Sequence, residues 1–480
     1  MTVAHAPRRP ERAAALERIR SIVGAKGWID DARDMERYVT EERAMFRGRA
    51  AAVVRPASTE EVAKVVAVCA EHRIPLVPQG GNTGLCGGSV PFESGDEIVL
   101  SMGRMNRVRS IDPLNYTIEV EAGCILADIQ RAAADADRLF PLSLAAEGTC
   151  QIGGNLSTNA GGTGVLRYGN ARDLVLGLEV VLPDGRVLDW LSRLRKDNTG
   201  YDLRHLFCGA EGTLGIITAA VLKLFPMPRD QRTALIALPN IEACVPLLSK
   251  ARAATGDAVT AFEYIHRICL DFVFRHTPGT SDPLTERHTH YVLMELTTTA
   301  AGDTALGERF EKLMEQAMED GLVLDAAVAQ NEAQSKQLWK LRESIPESQK
   351  PEGASIKHDV SVAVSRVPDF VEQATKLMEA AMPGVRVVAF GHVGDGNVHF
   401  NLNKPVGMED EAFVARRHEL NAIVHDLVAE MGGSFSAEHG IGRLKRDELV
   451  RYKSPVAVDV MRRIKAALDP DNIMNPGKVV

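Results

Sequence analysis

Apolar residues recur along the chain with two spacings, and together they predict an α+β protein. Segment 58–72 has a capping box from Ser58 to Glu61, followed by apolar residues at helical spacing. The short runs IPLVP (74–78) and HYVLMEL (290–296) are typical of strands. Charged segments 303–320 and 409–430 predict long helices. The glycine pair at 432 and 433 is a stop signal for the second of these helices.

The character of these elements changes near residues 226–232, PMPRDQR. Before this stretch glycine-rich loops interrupt short strands, and after it strands alternate with long charged helices. Two different sheets are therefore predicted. We predict an N-terminal helical segment (1–45), a first domain (46–226), a second domain (227–430) and a C-terminal segment (431–480).

Length and charge limit the possible classes of protein. A chain of 480 residues exceeds one hydrophobic core, and its net charge of -8 argues against a nucleic-acid partner. The seven cysteines are scattered without a Cys-x-x-Cys pair, which favours a reduced compartment and no thiolate metal site. No apolar run has transmembrane length, and the Arg-rich start lacks the apolar core of a signal peptide. We therefore expect a cytoplasmic protein without a membrane span.

Three glycine-rich stretches precede the change in composition, QGGNTGLCGGSV (79–90), EGTCQIGGNLSTNAGG (147–162) and GAEGTLGIIT (209–218). Glycines leave backbone N–H groups uncovered, and such a nest binds phosphate. Neither the G-x-G-x-x-G fingerprint nor a P-loop occurs in the chain, so nicotinamide and P-loop nucleotide sites lose their main support. Three loops indicate a long ligand with a pyrophosphate, whereas tight turns alone would explain any single loop.

GHVGDGNVHF (391–400) places two histidines symmetrically about an Asp-Gly pair. Asp-Gly is a strong signal for a two-residue hairpin turn, which would put His392 directly opposite His399. Alternation along the strand then adds Asn401 to their face and turns Val398 and Phe400 to the other. The pair is either a surface feature or part of a metal site, and a metal site needs a further ligand.

These loops, together with SAEHGIGRLKR (436–446) and NPGKV (475–479), resemble the FAD flavoproteins of the vanillyl-alcohol-oxidase type. Within that superfamily the chain is similar to the D-2-hydroxyglutarate dehydrogenase and D-lactate dehydrogenase family from about residue 40 onward. The resemblance implies an FAD-binding domain of two α+β subdomains, an antiparallel-sheet cap domain that binds substrate, and a C-terminal segment that returns to the FAD domain. Some members tether the flavin through a histidine where this chain has Asn82 and Thr83, which implies non-covalent FAD.

The resemblance assigns cofactor-binding residues in all three glycine-rich loops and near the C-terminus. These are Pro78, Gly80, Gly81, Asn82, Thr83, Gly84, Gly87, Gly88, Ser89, Gly148, Thr149, Gly153, Gly154, Asn155, Thr158, Asn159, Gly161, Gly162, Glu211, Gly212, Gly215, Ile216, Ile217 and Asn475.

The resemblance also implies a divalent metal on His392, His399 and Glu438, a set that suits Zn²⁺ and that Mn²⁺ or iron would accept. Adjacent residues of an extended chain point to opposite sides, so one of Glu438 and His439 can bind metal while the other faces substrate. His439 is implied as the catalytic base.

Arg342, Lys357 and Asn401 match substrate-binding positions of the family. On sequence alone, Arg342 could equally be a solvated helix residue and Lys357 a charge at a strand edge. Pro346 stands where some 2-hydroxyglutarate enzymes carry a hydroxyl residue, which leaves the exact acid open.

The implied activity is FAD- and metal-dependent oxidation of a D-2-hydroxy acid to the 2-oxo acid, with hydride transfer to flavin N5. D-2-hydroxyglutarate is the expected substrate, and D-lactate or glycolate are the alternatives. An electron-transfer flavoprotein or a quinone-linked carrier is the expected electron acceptor, and a homodimer is the expected assembly. A metal-dependent hydrolase and a non-catalytic FAD-binding subunit are the remote alternatives.

Overall fold

The computed structural model describes residues 9–300 and 305–480, which divide into two compact units. The first unit contains residues 9–161, 169–226 and 438–480, and the second contains residues 162–168 and 227–437. Among the helices of the described residues, none has the length and apolar character needed to cross a membrane.

Strands β1 to β11 belong to the first unit. In chain order they are Trp28–Ile29, Ala52–Val54, Leu76–Gln79, Ile98–Ser101, Val108–Asp112, Thr117–Glu121, Arg138–Leu139, Val175–Val181, Val187–Trp190, Ile216–Lys223 and Phe225–Pro226. Strands β12 to β19 belong to the second unit. They are Asp230–Leu238, Val259–His266, His290–Thr298, Asp325–Val328, Ser355–Ile356, Asp359–Ser361, Arg386–His392 and Asn397–Asn403.

Helices α1 to α17 follow the same chain order. They are Arg9–Gly27, Ala32–Val39, Thr59–His72, Leu126–Asp135, Ile152–Ser157, Val165–Tyr168, Arg204–Phe207, Cys244–Thr255, Arg267–His276, Ala305–Glu319, Glu332–Glu343, Ile345–Ser348, Val367–Ala381, Asp410–Ala415, Arg417–Glu430, Arg446–Tyr452 and Pro455–Leu468. The second unit contains α6 and α8 to α15, and the first unit contains the others.

Two sheets give the first unit its two-subdomain architecture. One has the order β1-β2-β4-β3, and β2, β4 and β3 run parallel. The other is a five-stranded antiparallel sheet of order β5-β6-β10-β8-β9. The residues of β3 lead directly into the first glycine-rich loop, so the parallel sheet fixes where that loop begins.

The second unit is built on an antiparallel eight-stranded sheet of order β15-β12-β14-β13-β18-β19-β16, with β17 also paired to β19. Separate hydrophobic cores cover its two faces. Helices α8, α10, α13 and α15 contribute to one core, and α9, α11 and α12 contribute to the other. Because side chains alternate along each strand, a polar residue on the second face lies beneath α9, α11 and α12.

Most predicted elements are present with small differences at their ends. Ser58 caps α3 by accepting a bond from Glu61 N, but the Glu61 carboxylate bonds to Ala57 N rather than completing the box. The predicted helix 303–320 corresponds to α10, and residues 303–304 lie outside the described residues. The predicted helix 409–430 is two helices, α14 and α15, which are separated at Arg416.

The hairpin register predicted for the two histidines is wrong by two residues. His399 pairs with Phe390, not with His392. The turn spans 393–396, because Val393 is buried in the first core and the Asp395 carboxylate accepts a bond from Asn397 N. A two-residue shift keeps every side chain on its original face. His392 and His399 therefore still share a face, with ring centroids 5.6 Å apart.

Candidate active site

The first glycine-rich loop is fixed at both ends by amide side chains of the first unit. Gln79, the last residue of β3, donates Nε2 to the carbonyl oxygens of Tyr38 and Ser89, each at 2.8 Å. Asn82 has a φ of 57°, donates Nδ2 to Thr40 O and accepts from Ser89 Oγ. Asn82 thus holds the loop against the segment that contains Thr40.

The loop borders an open cleft with about 900 Å³ of empty space, solvent included. Most of the predicted cofactor-binding residues line this cleft. Those that do not are Gly87, Gly148, Thr149, Asn159, Gly161, Gly162 and Asn475. Sequence reasoning did not find the further lining residues Gln79, Leu85, Cys86, Met102, Cys150, Gln151 and Ser157.

The cleft has features that fit a long phosphate-bearing cofactor. A Cβ on Gly84 would meet no protein atom within 4 Å, so the backbone there is open to a ligand. A Cβ on Gly81 would lie 2.3 Å from Thr149 O, because the first two glycine-rich loops approach each other closely. Gln151, in the second of these loops, has a buried Oε1 without a hydrogen-bond partner among the described residues. These residues could hold the pyrophosphate and an adjoining polar group of FAD.

Glu211 and Asn475 hold the C-terminal segment against the glycine-rich loops. The Glu211 carboxylate accepts bonds from Ile441 N at 2.7 Å and Gly442 N at 2.8 Å. Burial raises the pKa of Glu211, and the two N–H donors only partly oppose this effect. Asn475 donates Nδ2 to Gly88 O and Glu211 O. Both side chains hydrogen-bond to backbone groups of the first unit and so have a structural role there. Glu211 also borders the cleft.

The fastened segment carries His439, which lines the cleft. Its Nε2 lies 4.0 Å from Glu438 Oε1, and both side chains are about a quarter exposed. A Cβ on Gly161 would lie 2.9 Å from Glu438 Oε2, so this carboxylate is next to the second glycine-rich loop. The only predicted catalytic residue is therefore at the edge of the candidate flavin site.

In the second unit, the predicted polar residues lie on the face of the sheet covered by α9, α11 and α12. Glu263 of β13 is directly opposite His392 of β18, and His399 of β19 is directly opposite Asp359 of β17. His399 Nδ1 is 3.9 Å from Asp359 Oδ1. The four residues are all largely buried and lie next to one another across four strands.

Two more predicted residues lie on this face. The pairings of β16 and β17 with β19 share one register, which puts Lys357 opposite Asn401. Asn401 is 4% exposed and donates Nδ2 to Gln349 Oε1 at 3.1 Å. Lys357 is half-buried.

Arg342, at the end of α11, is the third predicted substrate-binding residue and is almost completely buried. Its Nε donates to Glu263 Oε2 at 2.9 Å, and its guanidinium carbon lies 4.8 Å from the centre of the Phe390 ring. It is therefore not the solvated helix residue that sequence alone left open.

Sequence reasoning missed Glu263 and Asp359. Burial raises the pKa of Glu263, but His392 and Arg342 outweigh this effect and hold it at about 2. A signal did exist, since an acid in the apolar run VTAFEYIH (259–266) must be either solvated or paired with a partner. The sequence does not identify His392 as its partner, because His392 is 129 residues further along the chain.

Comparison with known proteins gives the same family over most of the chain. Residues 50–190 match the family described as FAD binding domain, and residues 227–479 match FAD linked oxidases, C-terminal domain. The mitochondrial D-2-hydroxyglutarate dehydrogenase of Bos taurus is 40% identical over 469 residues, which cover 97% of this chain and 83% of that protein. The D-2-hydroxyglutarate dehydrogenase of Xanthomonas citri pv. viticola is 38% identical over 446 residues, 93% of this chain and 92% of that protein.

A solved structure of p-cresol methylhydroxylase with substrate bound has a TM-score of 0.75 at 18% identity. The match covers 98% of this chain and 97% of the p-cresol methylhydroxylase chain. At 18% identity it is evidence for the fold alone. The predicted fold class and family are confirmed. By both its domain matches and its full-length relatives, the chain belongs to the family of FAD-linked oxidases that contains the D-2-hydroxyglutarate dehydrogenases.

Proposed function

We propose that the protein is an FAD- and metal-dependent dehydrogenase that oxidises D-2-hydroxyglutarate to the 2-oxo acid. One observation carries this proposal: two imidazoles and an amide share one sheet face with a lysine, and an arginine from α11 lies against it. Imidazoles bind a divalent metal, and the two cations suit a substrate with two carboxylates. The names of the bovine and bacterial relatives agree with this substrate.

The donor set of the second unit fits a divalent metal. A Zn–N bond of about 2.1 Å puts the centre of a ligating imidazole about 3 Å from the ion, so two such rings are about 5–6 Å apart. The observed separation of 5.6 Å falls in this range. We propose Glu438 as the carboxylate ligand. Chain continuity supports this choice, since Glu438 follows Ala437, whose N–H bonds to Asp359 O.

The cofactors supply two kinds of chemistry when they are bound. FAD would supply a hydride acceptor at N5, and a divalent metal would supply a Lewis acid that lowers the pKa of the substrate hydroxyl group. The residues of the chain bind and orient the acid and move its proton. We propose that His439 removes the proton from the substrate O2 while C2 gives up its hydride.

Arg342 and Lys357 would bind the carboxylates, and Asn401 would orient the acid between them. Arg342 Nε donates its hydrogen bond to Glu263. The other two guanidinium nitrogens, Nη1 and Nη2, can bind a substrate carboxylate bidentately. Pro346 is the second residue of the short helix α12, in the first turn where proline is tolerated. It offers no hydroxyl for a distal carboxylate, so D-lactate and glycolate remain alternatives within the same reaction class.

The test is a substrate panel on metal-replete enzyme with an artificial dye as electron acceptor. D-2-hydroxyglutarate should give the highest kcat/KM, above D-lactate, glycolate and L-2-hydroxyglutarate. A preference for D-lactate or glycolate would replace the substrate but keep the reaction, and no turnover of any 2-hydroxy acid would refute the proposal. The electron acceptor, the homodimer and the cytoplasmic location stay predictions.

A further inference from the structure

Glu263 is a buried carboxylate between two residues with proposed roles in the site. Its Oε1 bonds to His392 Nδ1 at 2.7 Å and its Oε2 to Arg342 Nε at 2.9 Å. The side chain is 1% exposed, so water is not available to replace either bond. Removing either partner would leave a buried charge without compensation, which is strongly destabilising. Glu263 therefore holds His392 and Arg342 in place.

The bond between Glu263 and His392 determines the tautomer of the imidazole. An ionised carboxylate can only accept hydrogen bonds, so Nδ1 of His392 must carry the proton that it donates. Nε2 of a neutral His392 is then left with its lone pair, which is the form that binds a metal. Metal-binding histidines commonly donate their other ring N–H to a carboxylate, which orients the ring and raises its basicity.

The same carboxylate also determines where Arg342 lies. Arg342 and Trp339 are three residues apart on α11, and Trp339 donates Nε1 to Glu295 Oε2 at 2.7 Å. Glu263 and Glu295 lie on neighbouring strands, so a buried and a half-buried carboxylate anchor one face of the helix to the sheet. They differ in one respect: Glu295 accepts from the neutral donors Trp339, Thr260 and Gln231, whereas Glu263 binds an arginine and a histidine.

We propose that Glu263 is a positioning residue that presents Nε2 of His392 to the metal and holds Arg342 at the substrate, so that metal and substrate affinity depend on one carboxylate. This inference rests on the proposed function. Glu295 anchors the same helix without touching either proposed group, which makes it the matched control.

Zinc titration into metal-free, FAD-replete protein tests the proposal without using turnover. Glu263→Gln can turn an amide N–H toward Nδ1 and reverse the tautomer, so zinc affinity should fall about 10- to 100-fold while FAD content is unchanged. Glu263→Asp keeps the acceptor and should recover part of that affinity. Glu295→Gln should bind zinc like the wild type. Excess zinc should restore turnover in Glu263→Gln, with a raised KM for D-2-hydroxyglutarate.

Wild-type zinc affinity in Glu263→Gln would overturn the proposal, and so would an equal loss in Glu295→Gln, which would indicate general damage to the sheet. If Glu263→Gln does not fold, the comparison of Glu263→Asp with the wild type decides by the same measurement. His399→Ala separates this inference from the proposed function. If zinc binding is lost in His399→Ala but kept in Glu263→Gln, only the positioning role fails, whereas unchanged binding in His399→Ala would remove the metal site itself.

Discussion

Replacing Gly84 with valine would test whether the cleft of the first unit binds FAD. A Cβ at this position meets no protein atom within 4 Å, and the backbone φ is not in the left-handed region. The metal-free, FAD-free protein should therefore accept the larger side chain within about 0.5 kcal/mol, as at most exposed positions. Any larger effect must come from the ligand.

The expected loss of affinity follows from the contacts that the loop would make. A valine side chain in the cleft should displace the pyrophosphate from one or two backbone N–H groups, and a hydrogen bond to a charged group contributes about 1.5–3 kcal/mol. A loss of about 2.7 kcal/mol is about 100-fold in Kd. FAD at 100 times the wild-type Kd stabilises the wild type by about 2.7 kcal/mol and the variant by about 0.4 kcal/mol.

The assay is thermal unfolding with and without added FAD, together with FAD content by absorbance. The Tm of the FAD-bound variant should lie about 5–9 °C below that of the wild type, and the FAD-free Tm values should agree. Gly148 also has no protein atom near its Cβ, and the resemblance assigns it to FAD although it does not line the cleft. Gly148→Val therefore tests whether the cofactor extends beyond the cleft, and FAD binding like that of the wild type is expected if it does not. Full FAD binding by Gly84→Val would refute the assignment of the cleft.

Four further results are expected. Gly81→Ala should destabilise the FAD-free protein by about 1–3 kcal/mol in urea unfolding, since its Cβ would lie 2.3 Å from a backbone oxygen; an unchanged midpoint would contradict this close approach. His399→Ala should lose metal by elemental analysis while it keeps its yellow colour, and chelator treatment of the wild type should have the same effect. His439→Ala should keep FAD and metal but slow flavin reduction in stopped flow by about 10²- to 10⁴-fold, with partial recovery at high pH. Glu438→Gln should lose metal. Loss of metal in His439→Ala with metal kept in Glu438→Gln would exchange the two proposed roles. Because His392 and Arg342 hold the pKa of Glu263 well below its ordinary value near 4.5, its carboxylate contributes stability that is present above pH 4.5 and is lost as the pH falls below that value; the stability difference between wild type and Glu263→Gln should therefore shrink from pH 4.5 to pH 3 in urea unfolding.

Local patterns predicted the elements well, because their causes lie within a few residues. The apolar positions Val62, Val65, Val66 and Cys69 are all buried on α3, as their spacing requires. Arg416 interrupts the predicted helix 409–430, and no residue there has the low helix propensity that would have indicated the break.

The hairpin illustrates which part of a site is local and which is not. The shared face of His392 and His399 depends on strand alternation and was predicted correctly, whereas their register depends on the burial of Val393 in a core assembled from distant helices. Glu263 and Asp359 joined the site through strand pairings that no sequence window contains. The roles of Glu438 and His439 came only from the family resemblance.

The interruption of the first unit by the second has a consequence for biosynthesis. Glu211 is synthesised 230 residues before Ile441, whose backbone N–H donates a hydrogen bond to the Glu211 carboxylate. Asn475, which donates to the Glu211 carbonyl oxygen, is synthesised later still. Closing so long a loop slows folding. A nascent chain can therefore complete the eight-stranded sheet of the second unit before the cleft of the first unit is complete. A chain that stops after residue 437 should contain a folded second unit, bind no FAD and expose apolar surface of the first unit to chaperones and proteases. Flavin retention would then report that translation has passed the C-terminal segment.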